Sequence, residues 1–179
     1  FREAHQLGWN PQPGLALLLA ARGDATGAIK QLERALSEPS WTDGQRRGSM
    51  LAVLARVAAM SDQLERARSA LAELAREPQL SESHQSAAEL ARAQGELSWA
   101  QGNLTAAEPA LRASITHWLA LRAPLHAAQV RLRLFELLIL AGDTTAAELE
   151  LSSAEAALKQ AHAEPLVAQC RRLRAARLK

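Results

Sequence analysis

Apolar residues along this chain recur at helical spacing, and one short phrase interrupts them at regular intervals. Leu15, Ala16 and Leu19 precede Gly23, and Ala28, Leu32 and Ala35 follow it. Steps of three or four residues place such side chains on one helix face. Aligning Gly23, Asp62, Gly102 and Gly142, which are spaced 39, 40 and 40 residues apart, makes two further columns. Ala28, Ala67, Ala107 and Ala147 form one, and Leu32, Leu71, Leu111 and Leu151 the other. Four occurrences along the chain read as an internal repeat.

The phrase has a physical reading as helix–turn–helix. Glycine after an apolar run takes the left-handed conformation that closes a helix, and Asp62 takes it at some steric cost. Asp24, Gln63, Asn103 and Asp143 come next, placed to cap the following helix. The alanine one turn later lets two antiparallel helices approach, and the leucine fills their seam. First helices are predicted at residues 13–22, 44–60, 82–101 and 124–141, and second helices at 25–37, 64–76, 105–121 and 144–161. Pro39, Pro78, Pro124 and Pro165 fall in the breaks, with Ser81 and Ala123-Pro124 marking starts. Pro109 lies about one turn into a predicted helix, so a late start or slight kink is expected there. Residues 1–8 read as the end of an unpartnered second helix, and residues 165–178 as a closing helix.

Composition agrees with an all-α chain. Hydrophobic residues make up 48% of the 179, but aromatics only 3%, with no Tyr. Ala and Leu favour helices, whereas strands favour aromatic and β-branched residues. No apolar run approaches the ~20 residues that span a bilayer. Cys170 is the only cysteine, which excludes an intrachain disulfide and makes a reducing, cytoplasmic setting the expectation. Net charge is +2, with +5 of it in residues 165–179, leaving the body near −3 from 16 basic and 19 acidic residues. Such a body is not a general polyanion binder.

The spacing Gly–(four)–Ala–(three)–Leu resembles the tetratricopeptide repeat, with Gly95, Gly102, Ala107 and Leu111 at its small, turn, small and large positions. The period of about 40 exceeds the usual ~34, no consensus Trp or Tyr stands in a first helix, and Phe135 occupies a normally small position. Residues 11–24, P-Q-P-G-L-A-L-L-L-A-A-R-G-D, resemble the central helical region of large LuxR-type bacterial transcriptional regulators. That resemblance implies a right-handed α-solenoid, one repeat domain over residues 1–179, with repeats at 13–39, 42–77, 81–121 and 123–161 and partial helices at 1–8 and 165–178. It implies a protein-interaction and signal-relay role, with DNA contacted only through a domain outside this chain. A first residue of Phe without a signal-peptide pattern reads as a piece of a longer protein. A stand-alone scaffold with no role in transcription is the alternative.

In tetratricopeptide stacks the first helices line a concave groove that binds a protein or peptide. The resemblance places Arg56, Met60, Arg92, Glu96, Trp99, Glu136 and Ile139 at its groove positions. Trp99 beside Arg and Glu either anchors a partner or packs between helices, since Trp and Arg are enriched in binding hot spots. The asparagines, Asn10 and Asn103, fall in loops or turns, which argues against a carboxylate clamp for chaperone tails. Trp9, Trp41 and Trp118 read as seals between helix pairs.

His5, His84, His117, His126 and His162 form no H-x-x-x-H pair or H-E-x-x-H, so no metal site is expected. No G-x-S-x-G, facing carboxylate pair or phosphate-cradling glycine loop occurs, and neither catalysis nor a cofactor is expected. Arg171, Arg172, Arg174 and Arg177 encircle more than half of the closing helix. They read as a solvated end or a link to a following domain, with contact to nucleic-acid phosphates the less favoured reading.

Overall fold

The computed structural model describes residues 10–38, 44–76 and 83–177. The partial helix expected at 1–8, together with His5, Trp9, Pro39, Trp41, Pro78 and Ser81, lies outside the described residues. Within them the chain forms α-helices and no strand. They are α1 (Gly14–Ala21), α2 (Ala25–Ser37), α3 (Gly44–Met60), α4 (Leu64–Leu74), α5 (His84–Ala100), α6 (Leu104–Ala120), α7 (Pro124–Leu140), α8 (Thr144–Gln160) and α9 (Glu164–Arg177).

One turn design joins most of these helices. Gly23, Gly102 and Gly142 have φ of +86°, +78° and +83°. In the second of these turns Gly102 N donates to Trp99 O at 2.8 Å and Asn103 N to Ser98 O at 2.9 Å, satisfying carbonyls left over at the helix end. Asp62, Arg122 and His162 take the same left-handed position at φ 59°, 53° and 52°. The last two occur at turns between helix pairs, where the glycine pattern gave no signal.

Caps then start the following helices. Asp24 Oδ1 accepts from Gly27 N at 2.8 Å, Asn103 Oδ1 from Ala106 N at 3.1 Å, and Asp143 Oδ1 from Ala146 N at 2.9 Å. Gln63 departs from this pattern. Its side chain makes no cap and instead accepts from Arg66 Nη1 at 2.9 Å. Pro109 does not delay α6, because Asn103 already fixes the start at Leu104.

Packing follows chain order: each helix lies against the next, and α3 also lies against α5. Two apolar clusters result. The first gathers α1–α4, including Ala28, Leu32, Met50, Ala67 and Leu74, with Ala93 and Leu97 of α5. The second runs from Ala88 through α6–α9, including Leu111, Phe135, Leu151 and Cys170. Helix α5 therefore belongs to both. It meets α6 closely at Gly95, where an added Cβ would fall 2.9 Å from Leu111 Cγ. A second tie joins the two helices: buried Ser114 Oγ donates to Ala88 O at 2.8 Å.

Candidate functional site

The odd-numbered helices share one groove, with a volume of about 770 Å³. Pro13, which precedes α1, and Leu17 of α1 reach it, and so do Leu166 and Gln169 of α9. Helix α3 contributes Arg46, Ser49, Val53 and Arg56, helix α5 contributes Gln85, Glu89 and Arg92, and helix α7 contributes His126, Gln129, Leu132 and Arg133. Trp118, at the end of α6, closes one side. Within each of the three middle helices these residues recur at three- and four-residue steps, one helix face apiece.

The charged groups in this region divide into a satisfied set and an unsatisfied set. Arg133 belongs to the first. Its Nε donates to Glu96 Oε1 at 3.0 Å and its Nη2 to Glu96 Oε2 at 2.8 Å, a two-pronged pair. Its Nη1 also donates to Glu136, and its guanidinium carbon stands 4.1 Å from the centre of the Trp99 ring. Glu96 is only 2% exposed. Burial alone would push its carboxyl up, but the hydrogen bonds and charge of Arg133 hold it below the usual carboxylate range.

Arg56 and Arg92 form the unsatisfied set. The Nε of each is shielded from solvent and has no hydrogen-bond acceptor among the described residues. Burial is the main cause pulling both guanidinium groups down, and for Arg92 the charge on Arg56 comes next, taking it to about 9. Glu96 and Glu89 pull the other way on both. Trp118 Nε1 is a third shielded donor without an acceptor, and its ring stacks on His126 at 4.5 Å between centres. Burial, and then Arg92, push the His126 imidazole down.

Glu89 is the carboxylate that reaches the groove beside these arginines. It accepts from Ser49 Oγ at 2.8 Å and from Gln85 Nε2 at 3.5 Å. Burial nevertheless raises its carboxyl above the ordinary value, with Ser49, Gln85 and the charges of Arg56 and Arg92 pulling the other way.

The residues expected in the groove divide in the same way. Arg56 and Arg92 line it. Glu96, Trp99 and Glu136 come together around Arg133. Trp99 is half-buried and packs on the second apolar cluster, beneath the Arg133 guanidinium. Met60 stands 60% exposed at the end of α3, and Ile139 packs on the second cluster, so neither joins these residues. The sequence pattern missed Arg133, Glu89, His126 and Gln129. A signal for two of them existed: Ser49, Glu89 and Gln129 are 40 residues apart and polar, as Arg56, Glu96 and Glu136 are charged at that same spacing.

The remaining candidates fall elsewhere. His84 and His117 pair through their Nδ1 atoms at 3.2 Å. Among the described residues no group of three or more His, Cys, Asp or Glu side chains is placed to hold a metal ion. Cys170 is buried in the second cluster, and burial pushes its thiol up. Arg174 docks α9 onto α8, with Nη1 2.7 Å from Glu155 and Nη2 3.0 Å from Glu148. Among the described residues no helix is long and apolar enough to cross a membrane. Compared with protein-family models and with curated proteins, the chain matches none.

Proposed function

We propose that this chain is an interaction and signal-relay module built as a tetratricopeptide-like α-solenoid. Its helix pairs follow a right-handed superhelical course, and its concave groove takes a peptide, an effector or another part of the same protein. One observation carries the reading: alternate helices from α1 to α9 line one groove, and α3, α5, α7 and α9 turn polar or charged side chains into it, in a chain otherwise packed with Ala and Leu. Stacked helix pairs suit relay, because small rotations between neighbours add along the array. The string at 11–24, which supplies α1, its turn and the Asp24 cap, supports placement in a LuxR-type regulator.

Gln129→Trp tests the groove directly. The position lines the groove, is partly exposed and sits mid-helix in α7, so the indole should fill the space without disturbing the core. Partner capture lost with an unchanged helical spectrum supports the reading, and capture retained counts against it. The relay role is tested in the parent gene. Neighbouring segments with neither a nucleotide-binding nor a DNA-binding unit would leave only a scaffold role.

A further inference from the structure

We propose that Arg56 and Arg92 form an oxyanion site in the groove, taking a carboxylate or phosphate group of the bound ligand. The inference rests on the groove being a ligand site, and it names the chemistry of what enters.

Unmet hydrogen-bond demand is the starting point. Among the described residues the shielded side-chain polar atoms without a partner are Arg56 Nε, Arg92 Nε and Trp118 Nε1. All three are donors, and all three belong to residues lining the same groove. Such groups carry a desolvation cost that only an acceptor removes. The Nε atoms themselves are shielded, so an oxyanion entering the groove would meet the two arginines at the parts of their side chains that remain partly exposed there.

Charge points the same way. The Arg56 charge bears on Arg92, and although Glu96 and Glu89 offset both guanidinium groups, those carboxylates accept their hydrogen bonds from Arg133, Ser49 and Gln85 instead. Arg133 cannot share the task, since Glu96 and Glu136 already occupy its guanidinium. Glu89 is held by Ser49 and Gln85. Arginine suits the role because its planar donors match the two oxygens of a carboxylate or phosphate. Around the pair, Val53, Leu132 and Leu166 offer apolar wall. The volume is that of ordinary small-ligand sites, roughly 300–1,000 Å³.

The test follows the Nε–H signals of Arg56 and Arg92 and the indole N–H signal of Trp118 by proton–nitrogen NMR. Inorganic phosphate and succinate are titrated separately, against sodium chloride at matched ionic strength. A saturable shift of both arginine signals with either oxyanion is expected, and the anion that saturates first tells phosphate from carboxylate. The same anion should raise Tm by about 3–5 °C at roughly ten times its Kd. That rise should vanish in Arg56→Met and Arg92→Met, while a control at exposed Arg22 (Arg22→Gln) keeps it. Without anion, both groove variants should melt no lower than the parent chain, which a purely structural arginine would not allow. Signals unmoved by either anion overturn the proposal, as does an equal Tm rise in the methionine variants. If those results come with partner capture that Gln129→Trp still blocks, the groove reading stands and only the oxyanion falls.

Discussion

Arg133 and Glu96 form a buried ion pair across α7 and α5, with Nη2 2.8 Å from Oε2 and the carboxylate almost wholly out of water. Removing the arginine would take away the hydrogen bonds of that carboxylate and its nearest counter-charge, leaving only the weaker pull of Arg92 and Arg56. Breaking a buried pair on one side costs about 3–5 kcal/mol, because the surviving charge loses its compensation. Arg133→Met should lower the unfolding free energy by about that much in urea titration. Adding Glu96→Gln should recover part of the loss by removing the poorly compensated charge. If the double variant is less stable than Arg133→Met alone, Glu96 does not depend on Arg133 in the way the geometry implies.

Two helical glycines should respond in opposite directions to the same substitution. Alanine normally stabilises a helix interior by about 0.5–1 kcal/mol over glycine. At Gly48 the new methyl would meet only Leu74 Cδ1 at 3.7 Å, an ordinary contact, so Gly48→Ala should gain that amount. At Gly95 it would lie 2.9 Å from both Cγ and Cδ2 of Leu111 and 3.3 Å from the Ala107 carbonyl. Leu111 is fully buried, and its branching carbon cannot swing aside. Overpacking costs about 1–3 kcal/mol, so Gly95→Ala should lose about 1 kcal/mol net. Equal signs for the two variants in thermal melts would contradict the close α5–α6 crossing.

The contrast between those glycines shows what could be read from sequence. Gly102, Asn103, Ala107 and Leu111 mark a turn, a cap and a helix seam, each a local requirement that residue type reveals. Helix α3 at Gly44–Met60 and helix α2 at Ala25–Ser37 coincide with the spans that periodicity predicts. The groove is less legible because its chemistry depends on which side chains find partners. Arg56 and Arg133 are the same residue type on first helices, yet one keeps an unmet donor and the other is enclosed by Glu96, Glu136 and Trp99. They stand at different repeat positions, Arg56 in the column of Glu96 and Glu136, but spacing does not show which guanidinium finds partners. Trp99 likewise stood between two readings in sequence, and its half-buried place under Arg133 depends on a residue 34 positions away.

The left-handed turns supply a paired expectation. Arg122 holds φ at 53° on an exposed turn, where a side chain costs about 1–2 kcal/mol over glycine. Arg122→Gly should therefore stabilise the chain by about 0.5–1 kcal/mol after the added freedom of the unfolded glycine is counted. Gly102→Ala places a Cβ at φ 78° and should lose about 1 kcal/mol, although no neighbouring atom obstructs it. The effect is one of backbone strain alone. Urea midpoints with unchanged slopes would report it, and a loss on Arg122→Gly would mean that the arginine side chain does more at this turn than strain it.

Acid should loosen the end of the chain. Hydrogen bonds from Lys159 and from Arg174 pull Glu155 down to about 2, from an ordinary value of 4.5. Its folded-state value is thus depressed, so the stabilisation is present above pH 4.5 and is lost as pH falls towards 2. Arg174 is the link that matters for architecture, since it joins α9 to both Glu148 and Glu155 of α8. Arg174→Ala should shift the Glu155 titration upward and speed amide hydrogen exchange in α9 at neutral pH, with α5 and α6 unaffected. Lys159→Ala is the comparison: it removes a bond to Glu155 within α8 itself, and should raise the same titration without freeing α9. Identical exchange in the two variants would show that α9 is held by its apolar contacts through Val167 and Cys170 rather than by the arginine.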